Sequence, residues 1–266
     1  MKIFKFGLSV LLSGVFFTAG CNQHPAPLPP AGPAISILFI GNSYTFVNDL
    51  PKLITELAKS GGHPVSTSSI APGGWTLAQH ADSDKTIEKI NERKWDYIVL
   101  QEQSVIPSVE SARVNGMYPA VRSLASKIQQ VGAIPLLYMT WGRQKGLPEF
   151  GFNDYAGMQT QIILGTMNIA DELGLKVAPV GMAWKNALDR DPSLNFWQGD
   201  GSHPTLEGSY LGACVFYAVI YEKSPEGLDY PLEITKKRAG FLQKIAAETV
   251  LTDPTRWNIH VTPTAP

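Results

Sequence analysis

Five short strand-like runs, four mainly apolar and one rich in Ser and Thr, constrain this chain more than any other feature. Each ends in polar or glycine-bearing residues, and residues at helical spacing follow. The first run, Ile35–Ile40, is Ile-Ser-Ile-Leu-Phe-Ile and stops at Gly41-Asn42-Ser43. It is β-branched, aromatic and too short for an ordinary helix, so it reads as a buried strand. Asp49-Leu50-Pro51-Lys52-Leu53-Ile54 opens a helical pattern, with a proline suited to a first turn. Further strands are expected at 64–71, 97–101, 134–140 and 176–180, where Pro179 suggests a sheet edge. Helical pieces fall between 76 and 93, broken near Ser83, then at 110–130, Tyr155–Leu173, 182–188, 205–221 and 232–251. Residues 145–152 read as a loop carrying Gly and Pro. Strands alternating with helices imply a parallel sheet covered on both faces. The expected fold is α/β: a three-layer α/β/α sandwich with a five-stranded parallel sheet in a flavodoxin-like order.

In such a sheet the carboxyl ends of the strands share one rim, where ligands bind. The first strand brings Ser43 there, the second Gly73 and Gly74, and the third Glu102, Gln103 and Ser104. The fourth brings Thr140, Trp141 and Arg143, and a late loop at 195–204 adds Asp200 and His203. A hydroxyl, an imidazole, a carboxylate and flexible backbone amides together suit acyl transfer. Unperturbed imidazole titrates near pH ~6.5, so it can take a serine proton and return it to a leaving group. A carboxylate on its other nitrogen fixes the tautomer. Three residues of separation in a glycine-containing turn let Asp200 and His203 reach each other. The plain alternative makes Ser43 a turn residue, Asp200 a turn cap and His203 an exposed loop residue.

Gly41-Asn42-Ser43 near the start and Asp200-Gly201-Ser202-His203-Pro204 near the end resemble the first and last blocks of the SGNH (GDSL-type) hydrolases. The resemblance spans residues 35–221. It implies the SGNH hydrolase fold, with Ser43 as nucleophile, His203 as base and Asp200 as its partner. It also implies an oxyanion hole made by the nucleophile's amide, a Gly amide after the second strand and an Asn side chain after the third. The first donor carries over to Ser43. The second carries over to Gly74 or its neighbour Gly73, with Gly74-Trp75-Thr76 nearer the family's Gly-x-Thr spacing. The third block departs from the family: Gln101-Glu102-Gln103-Ser104 stands in place of Gly-x-Asn-Asp. Gln103 is the expected donor there, with Gln101 second. Asn42 replaces the acid of Gly-Asp-Ser, and different hydrogen bonding around the turn is the expected consequence.

The N-terminus reads as a targeting segment. Lys2 and Lys5 precede an apolar core at 8–17, and Thr18-Ala19-Gly20-Cys21 resembles a bacterial lipoprotein signal with lipidation at Cys21. The expected organisation is a signal peptide at 1–20, a Pro-rich linker at 21–34, the hydrolase-like domain at 35–251 and a tail at 252–266. That places the protein in the bacterial cell envelope, lipid-anchored, with a soluble secreted or periplasmic form as the alternative. The formal net charge is −1, and loss of Lys2 and Lys5 leaves about −3. No basic stripe points to nucleic acid. Cys214 lies in an apolar run and reads as core. No metal motif, P-loop or dinucleotide fingerprint occurs, so no cofactor is expected. Trp75, Trp141 and Trp197 sit in rim loops, either to stack on a sugar or to pack locally. Arg143 reads as a surface salt bridge or a carboxylate ligand, and His80 as structural. The expected activity is that of a serine esterase or deacylase on a carboxylic ester, an acetylated carbohydrate among the candidates. The alternative is a catalytically silent lipoprotein that binds a glycan or a protein partner.

Overall fold

Residues that are apolar on both faces can only be strands between two helical layers. In the computed structural model, which describes Met1 and residues 34–229 and 233–259, they occupy the middle of one sheet. The strands are β1 (Ile35–Ile40), β2 (Val65–Ile70), β3 (Tyr97–Leu100), β4 (Ile134–Tyr138) and β5 (Lys176–Ala178). All pair in parallel, in the order β2-β1-β3-β4-β5. This is the flavodoxin-like order. Ile37 to Ile40, Ile98 to Leu100, Leu136 and Leu137 are buried. The edge strand β2, Val-Ser-Thr-Ser-Ser-Ile, is only half-buried. Cys21 and the segments read as leader and linker lie outside the described residues, apart from Met1 and Ala34.

The helices are α1 (Ser43–Phe46), α2 (Leu50–Ser60), α3 (Leu77–Ala81), α4 (Asp84–Asn91), α5 (Glu110–Ala112) and α6 (Tyr118–Gln130), then α7 (Tyr155–Leu173), α8 (Val180–Arg190), α9 (Leu206–Tyr221) and α10 (Lys236–Leu251). The winding reverses at β1, so right-handed crossovers send α2 to one face and the helices after β2 to the other. The packing follows that division, with α2 on α9, α9 on α8 and α10, α3 on α6 and α6 on α7, while α7 also meets α8. The reversal also opens a crevice between the ends of β1 and β3, the position where such sheets bind ligands.

The break expected near Ser83 is present: Ser83 caps α4 by accepting from the Thr86 amide, which leaves α3 and α4 as separate helices. Three boundaries differ from the sequence reading, each for a local reason. The expected helix at 110–130 passes through a wide turn at Arg113–Met117, just ahead of Pro119, which has no N–H to continue the ladder. β5 is an edge strand as expected, but Pro179 lies beyond it and precedes α8. The tail expected from 252 belongs in part to the domain. Pro254–Trp257 forms a 3-10 turn, Trp257 and Ile259 are buried, and Trp257 Nε1 donates to the Thr249 carbonyl at 2.8 Å.

Candidate active site

The turn after β1 is fixed by close approach. A Cβ on Gly41 would lie 2.5 Å from Gln101 Oε1 and 2.6 Å from Thr45 Oγ1, so a larger residue would displace two side chains that are hydrogen-bonded to each other. Asn42 caps α1 by accepting from the Tyr44 amide at 3.1 Å. Its Nδ2 donates to the Trp75 carbonyl at 2.8 Å, which ties the Gly73-Gly74 turn to the nucleophile candidate. Ser43 is the first residue of α1, so its amide has no acceptor within the helix. His80 is fully buried under this turn, with Nε2 2.8 Å from the Gly41 carbonyl and Nδ1 3.0 Å from Thr86 Oγ1. Burial lowers its pKa, which keeps the ring neutral and structural.

The late loop brings the other two residues to Ser43. His203 Nε2 lies 2.9 Å from Ser43 Oγ, and His203 Nδ1 is hydrogen-bonded to Asp200 Oδ2. With Nδ1–H donated to Asp200, Nε2 is left to accept from the serine hydroxyl. Asp200 Oδ1 accepts from the amides of Ser202 at 2.9 Å and His203 at 3.0 Å. The His203 hydrogen bond, with these amides, holds the Asp200 carboxyl down at about 2. The arrangement can move a proton from the serine to the imidazole while the carboxylate stabilises the resulting cation.

Aromatic side chains hold this loop in place. Tyr44 stacks on Trp141 with centroids 4.5 Å apart, and Trp141 on Trp184 at 4.1 Å. Trp141 Nε1 donates to the Ser202 carbonyl at 3.0 Å, and Trp197 Nε1 to the Gly142 carbonyl at 3.0 Å. Tyr44 Oη and Ser202 Oγ are 2.8 Å apart. Trp141 and Trp197 are 1% and 5% exposed, so the sugar-stacking reading of both is corrected: they are packing that fixes the loop. Trp75 stays half-buried and meets His80 edge-on at 5.1 Å. Asn48, in a left-handed conformation at φ 56°, donates to the Pro204 carbonyl and to Ser209 Oγ at 2.9 Å each. Tyr44, Asn48, Trp184 and Ser202 were not singled out from the sequence. Only the position of Tyr44 beside Ser43 hinted at a role.

The oxyanion-hole candidates divide clearly. The Gly73 and Gly74 amides donate to no protein group among the described residues, and Gly74 has φ +74° in an exposed turn. Gln101, the second candidate after β3, is excluded because it is saturated. Its Oε1 accepts from the Asn42 amide and Thr45 Oγ1, both at 2.9 Å, while Nε2 donates to Asn42 Oδ1 at 2.9 Å and the Glu102 carbonyl at 2.6 Å. Gln103 Oε1 accepts from the Val105 amide at 2.8 Å, which leaves Nε2 unused. Glu102 lies buried between these parts. Its Oε1 accepts from the amides of Leu77 at 3.0 Å and Gln103 at 2.6 Å, and burial pushes the carboxyl up to about 7.

Arg143 makes no ion pair among the described residues, so the salt-bridge reading is corrected; Nη2 has a 3.4 Å contact with Ser104 Oγ. No group of His, Cys, Asp and Glu among the described residues is arranged to hold a metal ion. Cys214 is buried in α9, and its thiol is pushed up by that burial.

No protein-family model matches the sequence, and no curated protein matches it significantly. Solved structures do match. A DUF4886 family protein from Bacteroides uniformis superposes with a TM-score of 0.72 at 20% identity, covering 86% of this chain and 97% of that one. A protein from Slackia heliotrinireducens described as a candidate SGNH hydrolase is 28% identical, with a TM-score of 0.57 over 69% of this chain and 97% of its own. An acetyl xylan esterase, AlAXEase, matches at 13% identity and a TM-score of 0.57, over 70% of this chain and 100% of its own. The chain therefore has the fold of the SGNH hydrolases, and the likeness supports a hydrolase.

Proposed function

We propose that this protein is a serine esterase or deacylase that hydrolyses a carboxylic ester. The observation that carries the reading is the hydrogen-bonded chain from Ser43 Oγ through His203 to Asp200. Ser43 Oγ attacks the ester carbonyl while His203 Nε2 takes its proton. The carbonyl oxygen becomes an oxyanion, met by the amides of Ser43 and Gly74 and by Gln103 Nε2. The carbon–oxygen bond to the alcohol breaks as His203 returns the proton to the departing oxygen. Water, deprotonated by His203, then attacks the acyl-enzyme and releases the acid and free Ser43. The export-type leader and the likeness to an acetyl xylan esterase make an acetylated carbohydrate the first substrate class to try. Lipid attachment at Cys21, anchoring the enzyme in the cell envelope, belongs to the same proposal; Cys21→Ser should release the protein from the membrane fraction.

Turnover of p-nitrophenyl acetate and labelling by a fluorophosphonate probe test the chemistry. Ser43→Ala should remove the label and cut kcat by roughly 10^4-fold or more. A folded wild type that takes no label, or a Ser43→Ala variant with undiminished turnover, would overturn the reading.

A further inference from the structure

The cleft beside the triad has a composition that the ester chemistry alone does not require. It encloses about 310 Å³ and is lined by Arg143, Gln144, Lys145 and Leu147 on one side and Gly199, Asp200 and Gly201 on the other. That volume is at the low end of small-ligand sites, which run to roughly 300–1,000 Å³, and suits one sugar ring. The second wall is the loop that carries His203. Neither Ser43 nor His203 lines this cleft, which meets the triad at Asp200. In the proposed reaction His203 protonates the departing alcohol oxygen, so the alcohol half of the ester leaves on the side of that loop, and a substituent of the alcohol that extends past Asp200 would meet the groups opposite that loop in the cleft.

Those groups are cationic and under-used. Arg143 is half-buried, its Nε is buried with no acceptor, and Nη2 has only the long contact to Ser104. Neither Arg143 nor Lys145 has an acidic partner among the described residues. Burial closes Nε to a ligand in the cleft, so a bound oxyanion would meet the guanidinium at its Nη groups, where it can take charge-assisted hydrogen bonds. Asp200 also lines the cleft, but its carboxylate is turned to its own loop: Oδ1 takes two amides and Oδ2 takes His203. Two cations against one internally engaged carboxylate leave the cleft positive.

From this geometry we infer that Arg143, with Lys145, forms an anion subsite for the alcohol half of the substrate, and that the ester is carried by an acidic sugar or another carboxylate-bearing alcohol. The inference rests on the esterase reading for its placement of the alcohol, but binding tests it separately. D-glucuronate serves as the probe and D-glucose as its neutral counterpart, measured by calorimetry on the full chain. The wild type should bind glucuronate at least tenfold more tightly than glucose, with the preference shrinking as salt is raised. Arg143→Gln should abolish the preference, and Arg143→Lys, which keeps the charge but loses the planar fork, should keep part of it. Equal binding of the two sugars, no binding of glucuronate by the wild type, or a preference that survives in Arg143→Gln overturns the subsite. The wild-type comparison decides the matter even if a variant fails to fold. Loss of the subsite leaves Ser43 labelling intact, whereas absence of labelling sinks the esterase reading, so the two failures are distinguishable.

Discussion

Ser43 sits between two polar regions built in opposite ways. On the β1–β3 side, Asn42, Gln101 and Glu102 are each 3% exposed or less, and they are tied to one another and to the backbone. On the other side, Asp200 and His203 keep 47% and 32% of their side chains exposed, on a loop held from below by Trp141, Trp197 and Tyr44. The buried side gains position from hydrogen bonds that have no competition from water. The exposed side gains it from aromatic packing, which leaves the imidazole and carboxylate wet enough to exchange protons. A buried Asp–His pair would have to be desolvated; here the charge stays near solvent while the backbone beneath it is fixed. The two sides should therefore fail differently: damage to the loop should reduce rate, and damage to the buried network should reduce stability first.

The largest expected effect tests the exposed side. Asp200→Asn keeps the shape of the loop turn but removes the carboxylate that holds Nδ1–H, which invites the wrong tautomer at His203. A fall in kcat of roughly 10^4-fold is expected on p-nitrophenyl acetate, with little change in melting temperature. A large loss of stability instead would mean that Asp200 is chiefly a turn cap, the plain alternative.

Asn42→Asp tests the buried side. Asn42 Nδ2 donates to the Trp75 carbonyl, and a carboxylate there would set a buried charge against a carbonyl oxygen. Loss of that bond and the burial of charge should cost roughly 3–4 kcal/mol of stability, read by denaturant titration. Such a loss would assign this role to the neutral amide, at a position where the resembled family has an acid. An unchanged midpoint would show that the network is not sensitive in the way its burial implies.

What was legible in the sequence follows the same division. The Asp200–His203 pairing is visible because three residues of separation in a glycine-bearing turn is a local relation. β1, β2, β3, β4 and β5 are visible because strand-like runs are local too. Gln101 and Gln103 are indistinguishable by type and spacing; what separates them is contact with Asn42 and Thr45, 59 and 56 residues away. Trp141 and Trp197 look alike to Trp75 as rim tryptophans, but the first two are buried by α8 and the late loop, which no local pattern announces. Residues 252–259 read as tail because a short 3-10 turn has no periodicity, although Trp257 packs into the core.

Glu102 sharpens the account of the buried side through pH. Burial raises its folded carboxyl from 4.5 to about 7, so the folded protein holds a proton that the unfolded chain releases. Stability therefore falls as pH rises from about 4.5 to about 7 and is flat above. The fall is on the order of 3 kcal/mol by linkage. Glu102→Gln still presents an oxygen to the Leu77 and Gln103 amides and removes the titration, so its stability profile should lose that slope. Parallel profiles for the two proteins would remove Glu102 from the network as a titrating member.

The smallest effect asks whether the aromatic packing or its hydrogen bonds hold the loop. Tyr44→Phe keeps the 4.5 Å stack on Trp141 and deletes only the hydroxyl 2.8 Å from Ser202 Oγ. If packing dominates, the variant should lose about 1 kcal/mol, the worth of one buried hydrogen bond, with kcat reduced no more than a few fold. Trp141 still donates to the Ser202 carbonyl, so the loop backbone keeps an anchor at the same residue. A drop in kcat as large as that of Asp200→Asn would instead make the Tyr44–Ser202 bond the element that aligns His203. The exposed side would then depend on a buried polar contact, as the β1–β3 side does, and the contrast between the two sides would disappear.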